Sequence, residues 1–223
     1  MRNKLLQAGV ALSAVMAVAG TASAQGEFSG NVALTTDYVW RGVSQSNEDI
    51  ALQGGFDYEN GMFYAGVWAS SIDFRDDAGT NLEIDFYGGL AGELESGIGW
   101  DLGFIYYNYP DDGNEDLDFY ELTGALSYEF DGGLGVGGSL AWDPDNKSIY
   151  VEASAGYSVT DYFSIDGTLG NFSFDEGGDY TNWSLGGTYS LEGFDIDLRY
   201  WGTDLDGEPL ADDRVVLTLS RSF

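Results

Sequence analysis

Phe194-Asp195-Ile196-Asp197-Leu198-Arg199-Tyr200 alternates apolar and charged side chains without interruption. Successive side chains of a β-strand point to opposite faces, so this stretch predicts a strand with one apolar and one charged face. Leu82-Glu83-Ile84-Asp85-Phe86 repeats the pattern. Burying such carboxylates in a dry core would be prohibitive, so the charged face has to lie against water.

The same period of two runs through the rest of the chain and predicts twelve strands. Most of them are long enough to cross the hydrocarbon of a bilayer when tilted. Their predicted ranges are 28–41, 50–58, 62–74, 81–93, 99–109, 117–130, 134–143, 148–158, 162–174, 179–191, 194–203 and 213–223.

The connections between these strands alternate in kind. Short turns rich in Gly, such as Asn60-Gly61 and Asp131-Gly132-Gly133, alternate with longer acidic connections, such as Val43–Asp49 and Asp204–Asp212. Short turns on one side and longer loops on the other are typical of outer-membrane barrels, and closure leaves no unpaired edge in lipid. The predicted fold is therefore all-β: a closed antiparallel up-and-down transmembrane β-barrel of about 12 strands, with both chain ends on the short-turn side.

The N-terminus has the pattern of an export signal. Basic Arg2 and Lys4 precede an apolar stretch from Leu5 to Ala19, and Ala22-Ser23-Ala24 provides a small-residue cleavage site. We expect residues 1–24 to be a cleaved signal peptide and residues 25–223 to be one barrel domain in the outer membrane. The alternative is an uncleaved amphipathic or transmembrane helix.

Composition excludes several classes of function. The chain has 8 Lys and Arg against 38 Asp and Glu, so the phosphates of a nucleic acid would repel it. It has no Cys and no His, which removes disulfides, the usual metal ligand and the usual general base. Its 6 Trp, 15 Tyr and 13 Phe argue against an acidic disordered chain.

An enzyme is not expected, because the known barrel enzymes rely on His. Carboxylate pairs such as Glu83 with Asp85 could in principle cleave glycosides, but a solvated polar wall explains them more simply. The oxygen-rich loop at Asp143-Pro144-Asp145-Asn146 lacks the spacing of a calcium loop, so no metal site and no cofactor are predicted.

Alternation places the charged side chains in the lumen. Rings of carboxylates attract cations, which predicts a cation preference. Asp37 and Arg41 share strand parity, and we expect them to form an ion pair inside the barrel. The predicted pore-lining residues are Asp37, Arg41, Asp57, Glu83, Asp85, Asp101, Glu121, Glu129, Glu152, Asp166, Asp195, Asp197 and Arg199.

One segment carries a family resemblance. Thr35-Thr36-Asp37-Tyr38-Val39-Trp40-Arg41-Gly42-Val43-Ser44-Gln45-Ser46 resembles the opening motif of the TorF family of porins, also labelled the Gcw_chp family. The resemblance implies an outer-membrane barrel with a channel role. It brings no catalytic or ligand-binding residues to this chain.

Two functions stay open on this evidence. The first is a porin, a passive diffusion channel for small solutes. The second is a closed, non-conducting barrel that serves as a structural or surface-binding protein through its acidic loops; a soluble exported β-protein is a third possibility. The expected partners are outer-membrane lipid and lipopolysaccharide, and the barrel-assembly machinery, which would read the last strand ending in Phe223. The solute and the oligomeric state stay undetermined.

Overall fold

The computed structural model describes residues 26–74, 79–110, 112–113, 117–175 and 178–223. The predicted signal peptide, residues 1–24, lies outside these ranges. No helix within them is long and apolar enough to cross a membrane.

Twelve strands in the described part of the chain close into one antiparallel barrel. Each pairs with its neighbours in the chain, and β1 closes the ring by pairing with β14, from Asn31 opposite Ser222 to Thr35 opposite Thr218. The predicted closed barrel of about twelve strands is therefore confirmed. Its strands are β1 (Glu27–Thr35), β4 (Ala51–Asn60), β5 (Phe63–Ser71), β6 (Leu82–Glu93), β7 (Ile98–Asn108), β8 (Phe119–Glu129), β9 (Leu134–Asp143), β10 (Ser148–Thr160), β11 (Phe163–Phe174), β12 (Tyr180–Leu191), β13 (Phe194–Thr203) and β14 (Arg214–Ser222); β2 (Val39–Trp40) and β3 (Val43–Ser44) form a separate small hairpin.

The predicted alternation of connections is also present. Gly61, Gly97, Gly132 and Gly193 adopt positive φ in the short turns, a conformation that glycine tolerates without a steric penalty. β1 begins and β14 ends at this same side of the barrel, where the backbone of Phe223 exchanges two hydrogen bonds of 2.9 Å with Gly30. The long connections leave the opposite end.

The strands separate an apolar outside from a polar inside. On β13 the even-numbered side chains from Phe194 to Tyr200 are exposed, whereas the odd-numbered ones from Asp195 to Trp201 are partly or fully buried. Large apolar side chains such as Leu198 are exposed on strand after strand around the ring. The charged residues of β13 accordingly point into the barrel.

The predicted first strand is wrong at its end. Strand β1 stops at Thr35, not at residue 41. Residues 36–50 leave the wall, and their buried part, from Asp37 to Ser46, turns into the lumen; we call residues 36–50 the inward segment. Arg41 and Gly42 both have positive φ, at 50° and 86°. Such a pair forms a tight two-residue turn that reverses the chain and cannot belong to a continuing strand. The turn joins β2 to β3.

Candidate functional site

The inward segment is a compact hairpin inside the barrel. Val39 faces Ser44 and Trp40 faces Val43 in its short ladder. Gly42 is required at the tip, because a Cβ there would lie 2.5 Å from Cγ2 of Thr203 in the wall. The hairpin therefore fits closely against β13.

The guanidinium of Arg41 fixes the tip to the opposite wall. Its Nη1 and Nη2 donate to Oε1 and Oε2 of Glu121 on β8 at 2.7 and 2.8 Å. The Arg41 side chain is 4% exposed and that of Glu121 1% exposed. Burial alone would lower the pKa of Arg41, but the Glu121 carboxylate raises it, so the guanidinium stays charged. Tyr107 also donates to Oε2 of Glu121, at 3.0 Å.

Aromatic rings enclose the same guanidinium. Its Cζ lies 4.1 Å from the ring centroid of Trp40, 4.2 Å from that of Tyr150 and 4.7 Å from that of Phe172. These distances are within the range of cation–π attraction, which strengthens where water is excluded. Tyr180 on β12 donates to the carbonyl oxygen of Arg41 at 3.1 Å.

Asp37 anchors the base of the inward segment. It accepts hydrogen bonds from the hydroxyls of Ser44 at 2.6 Å and Ser46 at 3.0 Å. It also accepts one from Nη1 of Arg214 on β14 at 2.8 Å. The predicted Asp37–Arg41 ion pair is therefore wrong. Asp37 pairs with Arg214 on β14, the strand beside β1, whereas Arg41 pairs with Glu121 on β8, because the turn at Arg41 carries its side chain away from Asp37.

A third anchor involves Tyr38, whose hydroxyl donates to Oε1 of Glu83 on β6 at 2.8 Å. The Tyr109 hydroxyl also lies near enough to Glu83 to interact with its carboxylate. Burial, and then the negative charge of Glu83, raise the pKa of both Tyr38 and Tyr109 well above its usual value, so both hydroxyls stay protonated donors. With anchors on β6, β8, β12 and β14, the inward segment spans the lumen.

One carboxylate beside this segment has no partner. Asp85 is 0% exposed, and among the described residues neither of its carboxylate oxygens has a hydrogen bond. Glu83 and Glu121 lie near enough for their charges to repel it. Asp85 is therefore a buried carboxyl group whose hydrogen-bonding capacity the described residues leave unused.

A second inner cation, Arg199, lies near the middle of β13. Arg199 donates to both oxygens of Asp166, at 2.6 and 2.8 Å, and to Asp197 at 3.1 and 3.2 Å. Arg199 is thus fully engaged by two carboxylates on the wall.

Tyrosine–aspartate pairs and small residues line the lumen toward the short turns. The Tyr64 hydroxyl donates to Asp101 at 3.1 Å, and that of Tyr87 to Asp57. On the facing wall, inner positions of β9 and β10 carry small, partly exposed residues. They are Gly135, Gly137, Ser139, Ser154, Gly156 and Ser158. Small side chains leave space, so the lumen is wider here than at the inward segment.

The predicted pore-lining residues lie on the inner side of the barrel. Asp37, Arg41, Glu83, Asp85, Asp101, Glu121, Glu152 and Arg199 are buried; Asp57, Asp166, Asp195 and Asp197 are partly buried; and Glu129 is exposed at the short-turn end. That solutes pass beside them stays a prediction. Among the described residues, no group of carboxylates is arranged to hold a metal ion.

Sequence reasoning missed Arg214 as an inner residue. The alternation that places Val215 and Leu217 outward on β14 also places Arg214 inward, so the signal was present. The role of Trp40 was missed as well, because the inward turn is not visible in a period of two.

A family comparison covers nearly the whole chain. The model of a family described as "Bacterial protein of unknown function (Gcw_chp)" matches residues 19–223. The chain belongs to this family. The Gcw_chp label predicted from the opening motif is thereby confirmed, whereas the TorF name stays a prediction.

Solved structures resemble the fold of this Gcw_chp protein. A KdgM porin matches with a TM-score of 0.63 and 8% identity over 87% of this chain and 99% of that one. A NanC porin matches with 0.59 and 11% over 88% and 99%. The COG4313 outer membrane channel from Pseudomonas putida F1 matches with 0.57 and 14% over 89% and 96%. At these identities the likeness shows the fold alone; no curated protein matches the chain.

Proposed function

We propose that this Gcw_chp protein is an outer-membrane channel for passive diffusion of small solutes, that it prefers cations, and that the inward segment narrows it. The observation that carries the proposal is a closed barrel with an apolar outside and a carboxylate-rich inside.

The apolar outside supports a membrane location. Exposed Leu102, Leu185 and Leu198 would be costly in water, but they match the hydrocarbon of a bilayer. Closure satisfies the backbone groups that lipid cannot. Phe223, exposed at the end of β14, supports recognition of that strand by the barrel-assembly machinery, and residues 1–24 would direct export. Lipid and lipopolysaccharide would surround the barrel.

The charge of the lumen supports cation preference. In the described residues, the inner cations Arg41, Arg199 and Arg214 are each paired with a carboxylate. The inner carboxylates named above outnumber these cations, and two of them, Asp57 and Asp195, are partly exposed and form no ion pair with a described residue. Unbalanced carboxylates lower the energy of a cation and raise that of an anion along the path.

Reversal potentials test this preference. For refolded protein in a planar bilayer under a KCl gradient, the reversal potential of the current should be shifted from zero toward the equilibrium potential of potassium. Replacing Asp57 and Asp195 together by Asn should move the potential toward zero, whereas Asp161→Asn, in an exposed short turn, should leave it unchanged. Anion preference of the unmodified protein would contradict the proposal.

A closed barrel is the second candidate, and the inward segment spanning the lumen favours it. In this case the acidic long connections would act as a structural or binding surface. Liposomes that contain the protein would then fail to swell in small sugars or amino acids, whereas a channel gives swelling. Neither candidate function requires catalysis, a metal or a cofactor.

A further inference from the structure

Side chains of the barrel wall form a pocket that binds the guanidinium group of Arg41. We call the guanidinium pocket the set Glu121, Tyr107, Tyr150 and Phe172, which belong to β8, β7, β10 and β11. Two carboxylate oxygens of Glu121 accept from Nη1 and Nη2, and the ring centroids of Tyr150 and Phe172 lie 4.2 and 4.7 Å from Cζ of the guanidinium. Planar, bidentate recognition of this kind distinguishes a guanidinium from a compact ammonium or a metal ion.

The hydrogen bonds that position the pocket come from the barrel wall. The Tyr107 hydroxyl holds Glu121 at 3.0 Å. The Tyr150 hydroxyl is held by Glu152 at 2.8 Å and by Asn182 at 3.1 Å. These partners all lie on the barrel wall, so the hydrogen bonds do not depend on Arg41, whereas Trp40 of the inward segment adds ring contacts to Tyr107 and Phe172.

Two more carboxyl groups lie beside the pocket. Asp85 and Glu152 lie near enough to interact electrostatically with Glu121 and with Arg41, respectively. Neither forms an ion pair with a described residue, and Asp85 is fully buried without a hydrogen bond. A guanidinium in the pocket therefore forms its ion pair with Glu121 alone.

We propose that the guanidinium pocket is a recognition site for solutes that bear a guanidinium group, and that Arg41 occupies it as an internal competitor. This inference rests on the proposed channel function and names the class of solute that the channel would select. A solute reaching the lumen would displace Arg41 and, with it, the tip of the inward segment.

Arg41→Ala empties the pocket and allows a direct test. The refolded variant in detergent is titrated with methylguanidinium chloride in a calorimeter. Methylammonium, a cation without a planar fork, and urea, a planar molecule without charge, are the matched probes. We expect methylguanidinium to bind the variant, methylammonium to bind at least about tenfold more weakly, and urea not to bind.

The double variant Arg41→Ala/Glu121→Gln identifies the site. Without the second oxygen and the charge of Glu121, methylguanidinium affinity should fall by about tenfold or more. Equal affinity in the single and double variants, or no binding to a folded single variant, would overturn the inference. Folding is checked by heat-modifiable gel mobility.

Arg41→Lys provides a second test that does not depend on the folding of Arg41→Ala. Its ammonium keeps the charge but cannot form the bidentate pair, so methylguanidinium should displace it at lower concentration than it displaces Arg41 in the unmodified protein. Equal displacement in the two proteins would count against the pocket.

Conductance separates this inference from the channel proposal. If the variants conduct cations but do not bind methylguanidinium, the recognition site is wrong and the channel stands. If Arg41→Ala binds methylguanidinium while neither it nor the unmodified protein conducts, the site stands and the channel proposal is wrong.

Discussion

Replacing Glu121 by Gln keeps the shape of the side chain but removes the charge that faces Arg41. The guanidinium is 4% exposed and loses the partner that holds it at 2.7 and 2.8 Å. Breaking one side of a buried ion pair costs about 3–5 kcal/mol. The backbone ladder of β8 with β7 and β9 is unaffected, so the cost falls on the position of the inward segment and not on the barrel.

A change of about 3 kcal/mol corresponds to roughly 150-fold in an equilibrium constant. The population in which the inward segment leaves the lumen should rise by that order. Trypsin detects this state, since it can cut after Arg41 only when that residue is accessible. We expect much faster cleavage in Glu121→Gln, with a new N-terminus at Gly42, together with a larger single-channel conductance.

Asp101→Asn is the matched control. Asp101 is also a buried inner carboxyl group, but its hydrogen bond comes from the Tyr64 hydroxyl and not from Arg41. Cleavage after Arg41 should stay slow in this variant. If cleavage after Arg41 is as slow in Glu121→Gln as in Asp101→Asn and in the unmodified protein, the ion pair does not hold the inward segment and the reasoning fails.

Two further predictions concern the tip of the inward segment and the outer face. Gly42→Ala should speed tryptic cleavage after Arg41, because the added methyl meets the barrel wall and a positive φ costs an L-residue about 1–2 kcal/mol. Gly61→Ala, at a positive φ with open space around it, should leave the cleavage rate unchanged. Equal cleavage rates in the two variants would refute the steric argument. Leu198→Arg, at a side chain that is 56% exposed on the outer face, should reduce insertion into liposomes by about 2–4 kcal/mol if it lies near the bilayer midplane. Asp197→Asn, at the adjacent inward position, should insert normally; insertion of both variants at equal yield, measured by heat-modifiable mobility, would argue against a lipid-facing Leu198.

Much of the fold could be predicted from local patterns. Alternation from Phe194 to Tyr200 identified a strand and assigned its two faces, and the structure confirms both. Asn60-Gly61 marked a short turn because glycine adopts the positive φ that the turn requires. These features depend on residues adjacent in the chain, so a single sequence contains the information.

The site was predicted only in part. Strand parity predicted Asp37 and Arg41 inside the barrel and paired with each other. Both are buried inside, but because the chain turns inward after Thr35 and not because a strand continues, and they do not pair. The turn at Arg41 and Gly42 depends on adjacent residues, but the close fit of Gly42 against Thr203 depends on a residue far away in the chain, so a local pattern does not contain it.

The sequence alone determined that this chain forms strands with an apolar face and an acidic face, because side-chain direction in a strand follows a period of two. The tertiary structure alone decided which charges meet. Asp37 and Arg214 are 177 residues apart in the chain and come within 2.8 Å only because β14 closes the ring beside β1. Ring closure also creates the enclosed space in which Arg41 can be buried against Glu121, and no local pattern specifies that partner.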